Sequence, residues 1–206
     1  MSPSEAQPGP KLAGSSHDRI LAAAKQLFAS RGYENTSTVA IARLAGTSES
    51  QLMKHFGSKE GLLEAIFEQG WEKMRFLLRA IHDLSSPSEK LLSLLQLVFK
   101  ALDRDPELKE LMLLEGRRVR KEGRMVMLTQ GYQDFVKTVD SVLLEMRAAG
   151  ELRSDLSLQA IRSALMGMFE GLLRDQLLAR RFGYAGNYSG EDINKIFTAV
   201  LGSFHP

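Results

Sequence analysis

Cysteine is absent from all 206 residues, which excludes disulfides and thiolate metal ligation and gives no sign of an oxidising compartment. Histidine is scarce: His17, His55, His82 and His205 are the four, far apart, and none forms a His-x3-His or Glu-x2-His pair. No metal or cofactor is therefore expected. Long apolar runs are missing too. Charges interrupt each stretch well short of the roughly 18 apolar residues a membrane span needs, and the N-terminus lacks a signal-peptide apolar region, so a soluble, cytoplasmic chain is expected. A net charge of +2 is too small to identify a partner. Gly-rich phosphate loops, nucleophile elbows and isolated acid/base pairs are absent as well, which argues against catalysis and leaves an all-α enzyme as a weak alternative.

The six prolines are few and informative. Pro3, Pro8 and Pro10 sit among Ser, Gly and Gln, so residues 1–15 read as a disordered arm. Pro206 ends the chain, and only Pro87 and Pro106 lie inside it. They follow Ser86 and Asp105, which sets each at the first position of a helix, where its missing N–H does no harm. No segment alternates like a strand, whereas apolar residues recur at helical spacing throughout, against a composition that is 44% hydrophobic. The fold is expected to be all-α.

The run from Thr36 to Leu63 carries the strongest signal. It follows a helix from about Asp18, after Ser15 or Ser16, to Arg31, with Ile20, Ala24, Leu27 and Phe28 on one stripe and Gly32 as its stop. Thr36, Ser37 or Thr38 caps a second, short helix with Ile41, Leu44 and Ala45 inward, ended by Gly46. Ser48 opens a third, with Gln51 placed for a capping box and Leu52 and Phe56 four apart on the inner face. Thr47 and Ser48 then stand at its N-terminus, with Glu49, Ser50, Met53 and Lys54 outward, a layout that sets a helix into a major groove. Ser58 caps the next helix, and Lys59 in its first turn opposes the helix dipole, which suggests an external anion such as phosphate.

These residues resemble the DNA-binding domain of the tetracycline-repressor (TetR) family of transcriptional regulators. The resemblance rests on Ile20-x6-Leu27-Phe28, Gly32-Tyr33, Thr36, Ile41-Ala42, Ala45-Gly46 and Leu52-x2-His55-Phe56-x-Ser58-Lys59-Glu60-x-Leu62-Leu63, over about residues 18–66. It implies DNA contacts from Thr38, Thr47, Ser48, Ser50, Lys54, His55 and Lys59. Family members commonly carry Tyr at the positions of Met53 and Lys54; here Met53 meets a thymine methyl or fills a core gap, and Lys54 meets a phosphate or solvent. Glu49 accepts from cytosine or points away, and His55 contacts DNA or packs locally. Through Ile66, Lys and Arg at 11, 19, 25, 31, 43, 54 and 59 face Asp and Glu at 5, 18, 34, 49, 60 and 64, or seven minus six. DNA binding therefore rests on placement and predicts only a handful of phosphate contacts.

Helical spacing continues from Ile66 and Phe67 through Gly70, Met74, Leu77, Leu78 and Ile81 to His82 or Leu84, joining the module (residues 16–64) to a larger helical part (residues 65–206). Further helices are expected over about Pro87–Asp103, Pro106–Arg117 or a little beyond, Gly123–Ala149, Leu158–Arg181 and Glu191–Ser203. Capping boxes are expected at Ser86/Glu89 and Ser189/Asp192. Phe99, Met112, Met125, Met127, Tyr132, Phe135, Met146, Met166 and Phe169 supply an adaptable apolar lining for a small-molecule effector, largely apolar itself, or else plain core. Trp71 and His82 gate such a pocket or simply pack. Ala164, Gly167, Met168 and Gly171 place small or slender residues at helical spacing, which serves intramolecular packing or a partner helix. The family resemblance implies the latter: a homodimer through the last two helices, with Ile196 and Val200, reading a palindromic double-stranded operator and releasing it on effector binding. Arg117, Arg118, Arg120, Lys121 and Arg124, interleaved with Glu115 and Glu122 and without a stacking aromatic, read as a solvated turn or a second anion site. An architectural DNA-binding protein without effector response is the main rival.

Overall fold

The computed structural model describes residues 14–81, 84 and 86–206. The expected arm through residue 13 and His82 lie outside the described residues. Gly14 and Ser15 do not belong to an arm, because Ser15 is the N-cap of α1 (Ser16–Arg31): its hydroxyl accepts from the Asp18 N–H, and the Asp18 carboxylate accepts from the Ser15 N–H, closing a capping box. Gly32 ends α1 at φ +82, a backbone conformation costly for any side chain, and its N–H returns to the Phe28 carbonyl at 2.9 Å.

Helices α2 (Thr38–Leu44) and α3 (Glu49–Phe56) cross beneath α1, with Ser37 and Ser48 as N-caps. Ile20, Ala24 and Phe28 of α1, Ile41 of α2 and Leu52 of α3 meet with Leu62 and Leu63 in one small buried core. Leu44, expected inward, is 37% exposed, because Ile41, Ala42 and Ala45 already fill the inner face of α2. Thr36 is buried and donates to the carbonyls of Gly32 and Leu27 at 2.8 and 3.2 Å, tying the α1–α2 corner. Arg19 donates to the Ala45 carbonyl at 3.0 Å and so holds the α2–α3 turn against α1.

Helix α4 (Lys59–Leu78) starts in this head and runs without a break into the larger part, followed by a 3-10 turn (Arg79–Ile81). Then come α5 (Pro87–Arg104), α6 (Pro106–Leu114), α7 (Gln130–Ala148), α8 (Leu158–Phe182) and α9 (Gly190–Gly202). Both internal prolines occupy the first turn of their helices. Close approach fixes two glycines: a Cβ at Gly70 would stand 2.6 Å from Leu108, and one at Gly131 would stand 2.3 Å from the Cβ of Trp71. Helix α4 thus meets α6 at Gly70 and α7 at Gly131, α5 packs against both α4 and α7, and α8 and α9 lie outside them.

Three details depart from the sequence expectations. Helix α6 stops at Leu114 and α7 starts at Gln130, not Gly123; between them Arg120–Lys121 (β1) and Arg124–Met125 (β2) form an antiparallel hairpin. Its turn uses Glu122 and Gly123, both with positive φ (51 and 78), which suits the right-handed strand twist. Of the three expected capping boxes, Ser189/Asp192 closes in both directions, whereas Ser48 and Ser86 only accept from the Gln51 and Glu89 N–H groups. At Ser86 the neighbouring Ser88 is bonded instead by Glu151, from the loop before α8.

Candidate DNA-reading face and effector cavity

With Leu52 fully buried and Phe56 half-buried against α1, the opposite face of α3 is forced outward. Ser48, Glu49, Ser50, Met53, Lys54 and His55 are exposed there, and Thr47 is half-buried. Met53, at 42% exposure, is no core filler. The helix is short, about 12 Å, and narrow enough for a major groove of similar width.

Several of these groups already have partners within the chain. The Glu49 carboxylate accepts from the Thr38 hydroxyl, so the acid on this face is tied back to the first turn of α2 and bridges the two helices. Of the two readings of Glu49, this geometry fits the one that turns it away from bases. His55 Nε2 lies 3.0 Å from the Ser16 hydroxyl, and its ring stands edge-on to His17 at 5.6 Å, which is the local-packing arrangement. Lys59 lies 4.1 Å above the Tyr33 ring and 3.5 Å from the Glu34 carbonyl. Its position against the dipole is thus partly compensated by a cation–π contact. Tyr33 donates to Glu60 at 2.9 Å; burial, then that bond, push its hydroxyl pKa far up, so it stays a neutral donor.

The larger part contains a cavity of about 470 Å³ between α4, α5, α6, α7 and α8. Met112, Met127, Tyr132, Phe135, Met166 and Phe169 line it. Phe99 instead lines a neighbouring cavity of about 360 Å³ beside α9, and Phe169 borders both. Met125 lies on β2 outside both cavities, and Met146 is fully buried in the core. Sequence reasoning missed the aliphatic wall of Leu95, Val98, Leu102, Leu113 and Leu173, since a buried leucine carries no mark that separates cavity lining from core. It also missed the polar edge: Arg117, Arg162, Ser163 and Glu170. Arg117 pairs with Glu170, which also accepts from Arg174 at 3.1 Å, and Arg162 pairs with Asp140 at 2.5 Å. Trp71 is buried at the cavity wall, stacked on Phe135 at 5.0 Å and edge-on to Tyr132.

On α8, Ala164 and Gly167 are exposed and Met168 and Gly171 half-buried; on α9, Ile196 is 49% exposed and Val200 half-buried. A Cβ added at Gly167 or Gly171 would meet nothing within 4 Å. Packing within one chain therefore does not require glycine at either position. Among the described residues there is no cluster of His, Asp or Glu fit to hold a metal, and no helix is long and apolar enough to cross a membrane.

Comparison with known proteins agrees with both halves. Residues 20–66 match the bacterial regulatory proteins of the tetR family, and residues 67–179 match the C-terminal region of YsiA-like proteins. The fatty acid metabolism regulator protein of Bacillus subtilis is 26% identical over 156 residues, 74% of this chain and 78% of that protein. The transcriptional regulator UidR of Escherichia coli is 28% identical over 174 residues, 81% of this chain and 86% of UidR. Among solved structures, FadR of Bacillus subtilis in complex with stearoyl-CoA superposes with a TM-score of 0.79 at 21% identity, over 91% of this chain and 98% of that one. FadR of Bacillus halodurans gives the same score at 23% identity, over 93% and 96%.

Proposed function

The chain belongs to the TetR family of DNA-binding transcriptional regulators, and on that premise we propose that it represses from a palindromic operator as a homodimer and releases it when a long-chain acyl-coenzyme A enters the cavity. The observation that carries the effector class is the cavity itself. About 470 Å³ of space falls in the range of small-molecule sites, and its walls are methionine, leucine and aromatic side chains suited to an acyl chain. Arg117 and Arg162 at its edge are held by carboxylates, ready to exchange these for the anionic end of a ligand. The bound ligand of the Bacillus subtilis FadR structure, stearoyl-CoA, has this combination.

DNA is read by α3: Ser50 and Met53 face the bases, while Thr47, Ser48, Lys54 and Lys59 hold phosphates. Thr38 reaches a phosphate only by giving up its bond to Glu49, and His55 only by leaving Ser16. Dimerisation through the open faces of α8 and α9 sets two heads on half-sites roughly 34–36 Å apart or a little more. The ligand favours a conformation with the heads wrongly spaced, and shifts the population toward it.

Footprinting on the protein's own upstream DNA, repeated with stearoyl-coenzyme A and with coenzyme A alone, tests this. A symmetric footprint erased by the acyl form is expected. Binding of the acyl form with no change in operator affinity would sink the effector reading, and equal competition by random duplex would favour an architectural protein.

A further inference from the structure

Five basic residues between α6 and α7 remain outside the reading head and the cavity walls, apart from Arg117. We propose that the β1–β2 hairpin is a second DNA contact, in which Arg118, Arg120 and Arg124 hold backbone phosphates of the duplex flanking the sequence read by α3. The inference rests on the DNA-binding reading and adds to it a surface outside the helix-turn-helix.

Three observations converge. The hairpin is anchored, not loose: Val119 and Val126 at its root are 7% and 2% exposed, and the Val126 N–H donates to the Val119 carbonyl at 3.3 Å. It also stands beside the reading head. Lys121 reaches Glu64 at 2.6 Å, and Glu64 lies only ~7.5 Å along α4 from Lys59 at its N-terminus. Arg124 pairs with Lys121 across the strands, so both side chains project from one hairpin face, the face turned to α4. Finally, the charges divide sharply. Arg117 and Lys121 have carboxylate partners at close range, whereas Arg118 is 72% exposed with Glu115 no nearer than 3.9 Å. Arg120 donates only to backbone carbonyls, and Arg124 has no ion pair among the described residues. Guanidinium groups so placed match phosphate oxygens, and a contact made to the backbone is blind to sequence.

Phosphate esters also occur in a coenzyme A head, and the position of Arg124 against α4 favours the duplex. The test uses the full-length protein with R118Q/R120Q/R124Q and, as a charge-preserving control, R118K/R120K/R124K. Affinity is measured against salt on a duplex of about 50 base pairs centred on the footprint and on one trimmed to about 20. On the long duplex the glutamine variant should lower the slope of log K against log salt by about 2–3, near 0.9 per phosphate, while the lysine variant keeps it. On the trimmed duplex the variants and the parent should agree. Equal slopes on the long duplex would overturn the proposal, as would a loss confined to coenzyme A binding measured by calorimetry. A parent protein that binds no duplex would instead overturn the DNA reading beneath it.

Discussion

Lys25 of α1 grips Asp105 through both carboxylate oxygens, at 2.9 and 2.8 Å, where the reading head meets the α5–α6 corner. Asp105 is at the same time the N-cap of α6, accepting from the Leu108 N–H at 3.1 Å. Since Met112 and Leu113 of α6 line the cavity, one short helix touches the cavity at one end and the head at the other.

Asp105→Ala removes a cap and an ion pair together, and should cost about 1–2 kcal/mol, a few degrees in Tm. Lys25→Met leaves the cap in place and removes the pair with Asp105, whose side chains are 25% and 24% exposed, together with the longer one to Glu107 at 3.7 Å, and should cost under about 1 kcal/mol. Its larger effect is on coupling. Ligand affinity should stay near that of the parent while the ligand-induced loss of operator affinity shrinks, read by calorimetry and by operator titration with and without stearoyl-coenzyme A. An unchanged ligand effect would show that the pair does not transmit the signal.

Lys59→Ala should lower the salt slope of operator binding by about one, the value of a single phosphate contact, without loss of fold. Leu52→Ala makes a contrasting case. Leu52 is fully buried in the small head core, so its truncation should cost about 3 kcal/mol and remove operator binding by unfolding the head. Cavity occupancy, measured separately, should survive. A salt titration of Lys59→Ala that overlays the parent would remove this lysine from the contact set.

Trp71 is the single tryptophan and stands in the cavity wall, stacked on Phe135. Intrinsic fluorescence should therefore report the acyl chain directly, saturating with stearoyl-coenzyme A and not with coenzyme A alone. Met166→Phe narrows the same space and should weaken that response tenfold or more. A titration unaffected by Met166→Phe would place the chain elsewhere.

How far the sequence reached depends on the physics of each signal. Caps were legible because they need particular residues at fixed offsets: Ser86 before Pro87 and Asp105 before Pro106 stand where α5 and α6 begin. The reading head was legible because its glycines, caps and apolar pattern all describe one local unit. The hairpin was not, since two-residue strands are too short to show alternation, and Gly123 served equally well as a helix start. Nor was the cavity wall fully legible. Leu95 and Leu173 line it, while Leu94 and Leu143 fill the core, and only three-dimensional packing separates the pairs.

Acid should loosen two helix starts. Hydrogen bonds from Ser15 hold the Asp18 carboxyl below its ordinary value, 3.8, and those from Ser189 do the same for Asp192. A carboxyl that ionises more readily in the folded chain contributes stability above the unfolded value, and that contribution is lost as pH falls through the lower folded one. Tm should thus drop below about pH 4 more steeply in the parent than in Ser15→Ala/Ser189→Ala, where the boxes are already broken. Parallel curves would show that neither box matters to acid stability.

Ile196→Glu tests the open face of α8 and α9. Ile196 is 49% exposed on α9, and Gly167 and Gly171 leave clear space on α8, so a second copy of this face would bury all three in an isologous contact. Burying an isoleucine at such a contact is worth about 2 kcal/mol per copy, and twofold symmetry places the substitution in it twice. A buried, unpaired carboxylate adds its own penalty. The variant should therefore run as a 22.9 kDa monomer where the parent runs at twice that mass. Its helix content and Trp71 fluorescence should be intact, because the side chain points away from the core. Operator affinity should fall far more than half-site affinity, since each head keeps its own contacts and loses only its tether to the other. A dimer of unaltered stability would move the interface to another face, and the spacing of the two heads with it.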